Sequence, residues 1–171
     1  GAGLPVFEAT GSMIVDIGGG TCDVAVISLG GIAASRSIKV GGDAFDEAIV
    51  NHMKKAHNLL IGKNTAEDIK IKIGSVSEYD GEGAMDVKGR NLTDGLPKSV
   101  EVTSAEIRDV LSEPVSKIIA SIKETLEVTL PELASDIIDR GIYLAGGSSQ
   151  LRGLPELIAK ETKMQVHIPE K

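Results

Sequence analysis

The chain predicts an α/β fold, a mixed sheet with helices, and three stretches carry that prediction. Residues 14–26 read Ile-Val-Asp-Ile-Gly-Gly-Gly-Thr-Cys-Asp-Val-Ala-Val, two apolar strands joined by three glycines. Residues 45–56 and 115–126 repeat apolar side chains at helical spacing. Residues 141–150 read as a buried strand running straight into Gly146-Gly147, with a helix after it. Strands and helices alternate overall, and the region from Gly42 to about Ser112 is a candidate small α+β insertion.

The elements follow in order. Residues 13–17 and 23–29 are near-continuous apolar runs, the mark of buried strands. Leu29-Gly30-Gly31-Ile32 suits a two-residue hairpin turn, and a third strand reaches about Val40. After Gly41-Gly42, Asp43 is placed to N-cap a helix, with Asp46 at the capping-box position. Phe45, Ala48, Ile49, His52, Met53 and Ala56 form its apolar face, and Lys54 and Lys55 suit the negative end of its dipole. A second helix is expected from Thr65, with Asp68 three residues on. Ile69 and Ile73 share a face but Ile71 does not, so helix and strand both stay open there. Residues 77–98 are polar and glycine-rich and read as a small β-rich region. Val100 and Val102 alternate with charge as an exposed strand would.

Thr103 and Glu106 form a capping box for a short helix to about Ser112, and Pro114 fits the first turn of a new one. Val115, Ile118, Ile119, Ile122 and Leu126 give that new helix an apolar stripe. Pro131 opens a further short helix that stops before Gly141. The last elements are a helix over about 151–161 and a strand at 166–168. The expected division is a core subdomain of residues 1–41 and 113–171, with residues 42–112 inserted.

Composition excludes several functions. Two Phe, two Tyr and no Trp among 171 residues leave the core aliphatic and offer few platforms for base stacking. A net charge of −7 with no basic stripe argues against nucleic acid as a partner. The single cysteine, Cys22, permits no internal disulfide, fits a reducing compartment and reads as a small buried hydrophobe. No apolar run approaches the roughly 20 residues of a membrane helix, and no signal peptide is visible. The opening Gly1-Ala2-Gly3-Leu4-Pro5, without Met, reads as a piece of something longer.

The glycine hairpin is the strongest chemical signal. Residues without a Cβ let the backbone approach a ligand, and successive N–H groups can cradle a phosphate. Asp16, between two apolar strands, needs a partner such as hydrated Mg²⁺, because an unpartnered buried carboxylate is costly. No Lys-Ser/Thr follows the glycines and a strand rather than a helix comes next, so neither common nucleotide motif is present. A plain Gly-rich hairpin, and a plain β–α turn at Gly146-Gly147, remain open on the residues alone. Glu67 and Lys70 can be a solvated i,i+3 pair. His52 reads as a core-edge histidine, while His57 and His167 read as surface residues. Glu78-Tyr79-Asp80-Gly81-Glu82 reads as an exposed turn.

Taken together, the two glycine-bearing strand ends and the insert between them resemble the actin-like ATPase superfold, a ribonuclease H-like architecture. Asp16-Ile17-Gly18-Gly19-Gly20-Thr21 is similar to its second phosphate loop. Ile142-Tyr143-Leu144-Ala145-Gly146-Gly147-Ser148-Ser149-Gln150-Leu151 with Gly153-Leu154 is similar to its adenosine turn. Further segments narrow the resemblance to the MreB family of bacterial actins: Gly1–Pro5, Val24–Gly31, Asn58–Gly62 with Thr65-Ala66-Glu67, and Gly95-Leu96-Pro97. They lie along nearly the whole chain.

The resemblance implies ATP and Mg²⁺ as cofactors, with Asp16 holding the metal through water. It implies phosphate contacts from Gly18, Gly19, Gly20 and Thr21, ribose and adenine contacts from Glu67 and Lys70, and an adenosine wall of Gly146, Gly147 and Ser148. Where the family usually has Thr-Thr-Glu after the glycines, this chain has Thr21-Cys22-Asp23. Asp23 keeps an acid able to orient water, at shorter reach.

The family's first phosphate loop, its upstream catalytic Glu, its membrane-touching loop and its returning C-terminal helix have no counterpart here. The expectation is therefore the second half of such a protein, inactive as an ATPase by itself. The parent is expected to be a slow ATPase that forms head-to-tail filaments with itself. Those filaments would be cytoplasmic and membrane-associated through the first half, and would work with other cell-shape and cell-wall synthesis proteins. A chaperone-type ATPase or sugar kinase of the same superfold is the alternative.

Overall fold

The computed structural model describes residues 11–169, so the Gly1–Pro5 segment lies outside the described residues. Its strands are β1 (Ser12–Ile17), β2 (Cys22–Ser28), β3 (Gly31–Ile38), β4 (Leu59–Leu60), β5 (Ala84–Asn91), β6 (Pro97–Thr103), β7 (Ile142–Ala145) and β8 (Val166–His167). Its helices are α1 (Gly42–His57), α2 (Lys63–Ile73), α3 (Ser104–Glu127), α4 (Pro131–Arg140) and α5 (Leu154–Thr162).

Five strands form a mixed sheet in the order β3-β2-β1-β7-β8. The β1–β2–β3 meander is antiparallel, while β7 lies parallel to β1 on its other side. Register explains which residues are buried. Met13 faces Val26 and Ile142, Val15 faces Val24 and Leu144, and Ile17 faces Cys22. All eight of these side chains are essentially inaccessible and build one face of the sheet. Side chains alternate along a strand, so Asp16 and Asp23 fall on the opposite face, and both are exposed. Asp16 is thus an exposed acid, and not the buried one that the flanking apolar residues suggest.

Helix α3 runs unbroken for 24 residues, where the sequence predicts one helix ending near Ser112 and another starting at Pro114. Proline inside a helix removes one backbone hydrogen bond and costs about 3 kcal/mol. Here Ile107 and Leu111 before it, and Val115, Ile118 and Ile122 after it, are all buried. They make one stripe at i, i+4, i+8, i+11 and i+15, and burying each such side chain is worth about 1.5–3 kcal/mol, which outweighs the lost bond. The capping box holds as predicted: Glu106 N donates to Thr103 Oγ1, and Thr103 N donates to Glu106 Oε1.

The second sheet, in the order β4-β5-β6, lies over residues 59–103. Its edge strand β6 is less exposed than expected, since Val102 is fully buried and Val100 partly so. Three other boundaries differ. Helix α1 is capped by Gly41 with no side-chain cap, leaving Asp43 in the first turn. Helix α2 starts at Lys63 behind Gly62, again without a side-chain cap, and Ile71 is exposed as its off-face position requires. After β7 the chain makes a 3-10 turn, Gly147–Gln150, before α5 starts at Leu154.

Cys22 lies wholly inside the core face. Burial, followed by the negative charges of Asp23 and Asp16, pushes its thiol from 9.0 up to about 12. That shift lowers the thiolate fraction about 10³-fold at neutral pH. Iodoacetamide at pH 8 should therefore leave Cys22 unmodified in the native chain and label it readily in urea, as read by mass spectrometry.

Candidate functional site

Three glycine-bearing segments meet backbone to backbone at one end of the five-stranded sheet. Gly18 N donates to Thr21 O at 2.9 Å, which closes the β1–β2 loop on itself. The start of α1 then docks on that loop: Gly42 N donates to Gly18 O at 3.0 Å and Asp43 N to Gly19 O at 2.8 Å. From the third segment, Ser148 Oγ donates to Gly18 O at 3.0 Å. Gly18 O thus ties together three pieces of chain that are distant in sequence. A Cβ on Gly41 would stand 2.4 Å from Gly18 O, and one on Gly42 would stand 2.5 Å from Ser148 Oγ. Only residues without a side chain allow this approach.

Gly146 completes the arrangement. Its φ is +91°, and a Cβ there would lie 2.3 Å from Ile17 O and 2.6 Å from Asp16 Oδ1. The Asp16 carboxylate therefore rests against the second glycine turn. Directly across the strand pair stands Asp23. Two like charges in opposed positions of neighbouring strands are locally unfavourable. The face is also exposed, so a cation can reach both acids. The N–H groups of Gly19 and Gly20 make no backbone hydrogen bond among the described residues. The residues fit an anionic group with a hydrated divalent ion: oxygen ligands, free backbone donors, and a floor no side chain crosses.

A cleft of about 500 Å³ opens beside this floor, lined by Gly19, Phe45, Glu67, Lys70, Gly147, Ser148 and Arg152 among others. Five predicted site residues, Gly19, Glu67, Lys70, Gly147 and Ser148, are thus brought together from opposite ends of the chain. Asp16 and Gly146 adjoin them beneath. Thr21 and Asp23 do not line the cleft; Thr21 Oγ1 donates to Asp23 Oδ2 at 3.0 Å, on the face that Asp23 shares with Asp16. Its chain neighbours aside, no atom of the described residues lies within 4 Å of where a Gly20 Cβ would be.

Lys70 does not pair with Glu67. Its Nζ lies 2.9 Å from Asp46 Oδ1, and Asp46 is 4 % exposed. Asp46 therefore turns inward from α1 to hold the α2 lysine, instead of closing a capping box with Asp43. Asp43 in turn pairs with Lys63 at 2.7 Å, and that hydrogen bond holds the Lys63 amine above its ordinary value. Arg152 is a site residue that the sequence does not single out. It lines the cleft, donates to Gly74 O at 3.3 Å and stacks over the Tyr79 ring at 4.2 Å. A lone cation just past a glycine turn is its only sequence signal.

Away from this cleft, His57 is not a free surface residue. His52 Nε2 and His57 Nε2 each lie 2.5 Å from Glu106 Oε2.

The profile of the MreB/Mbl protein family matches residues 1–171. The cell shape-determining protein MreB of Escherichia coli is 50 % identical over 170 residues, which are 99 % of this chain and 49 % of that protein. The cell shape-determining protein Mbl of Bacillus subtilis is 47 % identical over 170 residues, 99 % of this chain and 51 % of that protein. The chain spans about half the length of these relatives. Among solved structures, MreB5 of Spiroplasma citri bound to AMPPNP superposes with a TM-score of 0.94 at 42 % identity, over 98 % of this chain and 50 % of that one.

Proposed function

The chain belongs to the MreB/Mbl family, with its actin-like fold, and from that premise we propose that it forms one wall of an ATP–Mg²⁺ site in a filament-forming bacterial actin. The observation that carries this reading is the three-way junction at Gly18 O. It joins three glycine-bearing segments beside a cleft of about 500 Å³, and the structurally similar MreB5 of Spiroplasma citri is bound to AMPPNP.

In this reading Gly18, Gly19, Gly20 and Thr21 present backbone and hydroxyl groups to the phosphates, and Asp16 holds Mg²⁺ through water. Bound Mg²⁺ neutralises charge on the phosphates. Glu67 and Lys70 face the ribose and base, and Gly146, Gly147 and Ser148 form the adenosine wall. Asp23 orients water for a slow ATPase reaction that the whole protein, not this chain alone, performs. Residues 1–41 and 113–171 act as the core subdomain and 42–112 as the insert, joined through the continuous α3. Head-to-tail self-association is a heterologous contact that does not close, so it yields filaments. The edge strand β6 is a candidate contact surface. Such filaments would organise cell-wall synthesis from the cytoplasmic face of the membrane.

Co-sedimentation of the full-length parent with ATP tests the reading. Pelleting that depends on nucleotide is expected. Failure to pellet under every nucleotide condition, with sugar-stimulated turnover instead, would favour a kinase of the same superfold. For the 171-residue chain itself, calorimetry should show ATP binding weaker than micromolar, because the chain spans about half the length of its relatives and in this reading the remainder supplies the other wall of the cleft.

A further inference from the structure

At the far end of α1 from the nucleotide cleft, three ligand-type atoms converge. His52 lies ten residues from Gly42, about 15 Å along the helix at 1.5 Å per residue. Its Nε2, the Nε2 of His57 and Glu106 Oε2 all lie within 4.8 Å of one another, and the oxygen is 2.5 Å from each nitrogen. The two rings stand edge to face with centroids 5.7 Å apart. Each of the three side chains is about one-fifth exposed, so the cluster is shielded yet open on one side. Glu106 is anchored independently, since its Oε1 accepts from Thr103 N in the capping box of α3.

A hydrogen-bonded reading asks one carboxylate oxygen to accept from two imidazoles, each fixed as the Nε2–H tautomer. The same three atoms can instead share a cation, with both rings neutral and Nε2 unprotonated. We propose that His52, His57 and Glu106 form a three-ligand site for a divalent ion of the zinc class, tying the end of α1 to the start of α3. Two imidazoles and one carboxylate with an open fourth position are a donor set that zinc accepts. In a tetrahedral site with bonds of about 2.1 Å the ligand atoms stand about 3.4 Å apart, so each 2.5 Å contact opens by about 1 Å. Small χ rotations of the rings supply that. Lys98 Nζ, 3.1 Å from His57 O, places a positive charge nearby and works against very tight binding. Cys22, the single thiol, is buried in the sheet and does not compete.

The test is calorimetric titration of ZnCl₂ into the untagged, chelator-treated, nucleotide-free chain at pH 7.5. One equivalent is expected, with saturable binding and a rise in Tm. CoCl₂ should give the visible bands of four-coordinate cobalt, and MgCl₂, a hard ion, should give no signal from this site. His52→Gln and His57→Gln should each weaken Zn²⁺ binding at least about tenfold. Absence of saturable Zn²⁺ binding by the unaltered chain overturns the proposal however the variants fold. Glu106→Gln keeps a residue that suits the capping box. If that variant is folded by circular dichroism and binds Zn²⁺ undiminished, the proposal fails as well.

Discussion

Gly146→Ala is expected to destabilise the chain by about 2–5 kcal/mol, read as a fall in the urea midpoint. Two independent costs add. An L-residue held at φ +91° and ψ 154°, a region occupied essentially by glycine, costs about 1–2 kcal/mol. Its new Cβ would also meet Ile17 O at 2.3 Å and Asp16 Oδ1 at 2.6 Å, and relieving such overpacking typically costs about 1–3 kcal/mol. Relief has to come from β1 itself, because Ile17 O is backbone and cannot swing away. The displaced residue would then be Asp16, so in the full-length parent nucleotide affinity should fall along with stability. Gly147→Ala is the matched control. A Cβ there would meet nothing within 4 Å and φ is not positive, so its effect should stay within about 0.5 kcal/mol. Equal loss in both variants would contradict the account.

These two glycines look alike in the sequence, and that marks a limit of reading it. The apolar runs of β1, β2 and β7 and the stripe of α3 are legible because burial imposes a period on side chains. What that period does not carry is which face of a strand meets a ligand. The apolar neighbours of Asp16 suggest an acid trapped between buried strands, whereas it is exposed, because alternation turns it away from Met13, Val15 and Ile17. The break expected at Pro114 is absent for a related reason. Local chemistry favours a new helix there, but the buried stripe from Ile107 to Ile122 runs through the proline, and tertiary burial outweighs the local preference. The capping residues divide in the same way. Thr103 and Glu106 cap α3 as spaced, while Asp43 and Asp46 pair instead with Lys63 and Lys70.

At the site, the glycine segments are legible as motifs, and the structure shows what joins them. Gly18 O accepts from Gly42 N and from Ser148 Oγ, contacts between positions 24 and 130 residues apart that no local pattern encodes. The same holds for His57 and Glu106, separated by 49 residues and brought together only when α1 packs on α3.

Asp46→Ala should be nearly as costly as the change at Gly146, for an electrostatic reason. Asp46 is 4 % exposed and its partner Lys70 has a side chain 15 % exposed, so the pair is largely withdrawn from water. Removing one member of such a pair leaves an uncompensated charge, a loss of about 3–5 kcal/mol in buried cases. Lys70 also lines the open cleft and can regain some water, which places the expected loss near the lower end, about 3 kcal/mol. The pair itself need not be strongly stabilising, because burying two charges offsets most of their attraction. Measured in one cycle with the single variants Asp46→Leu and Lys70→Met, the double variant Asp46→Leu/Lys70→Met should therefore lose less stability than the two single changes summed, a coupling of about 2 kcal/mol. If the double variant is as unstable as the sum of the two single changes, the pair is not what joins α1 to α2. In the full-length parent the double variant separates folding from binding: it should stay folded yet bind ATP more weakly, because the proposed adenosine contact from Lys70 is gone.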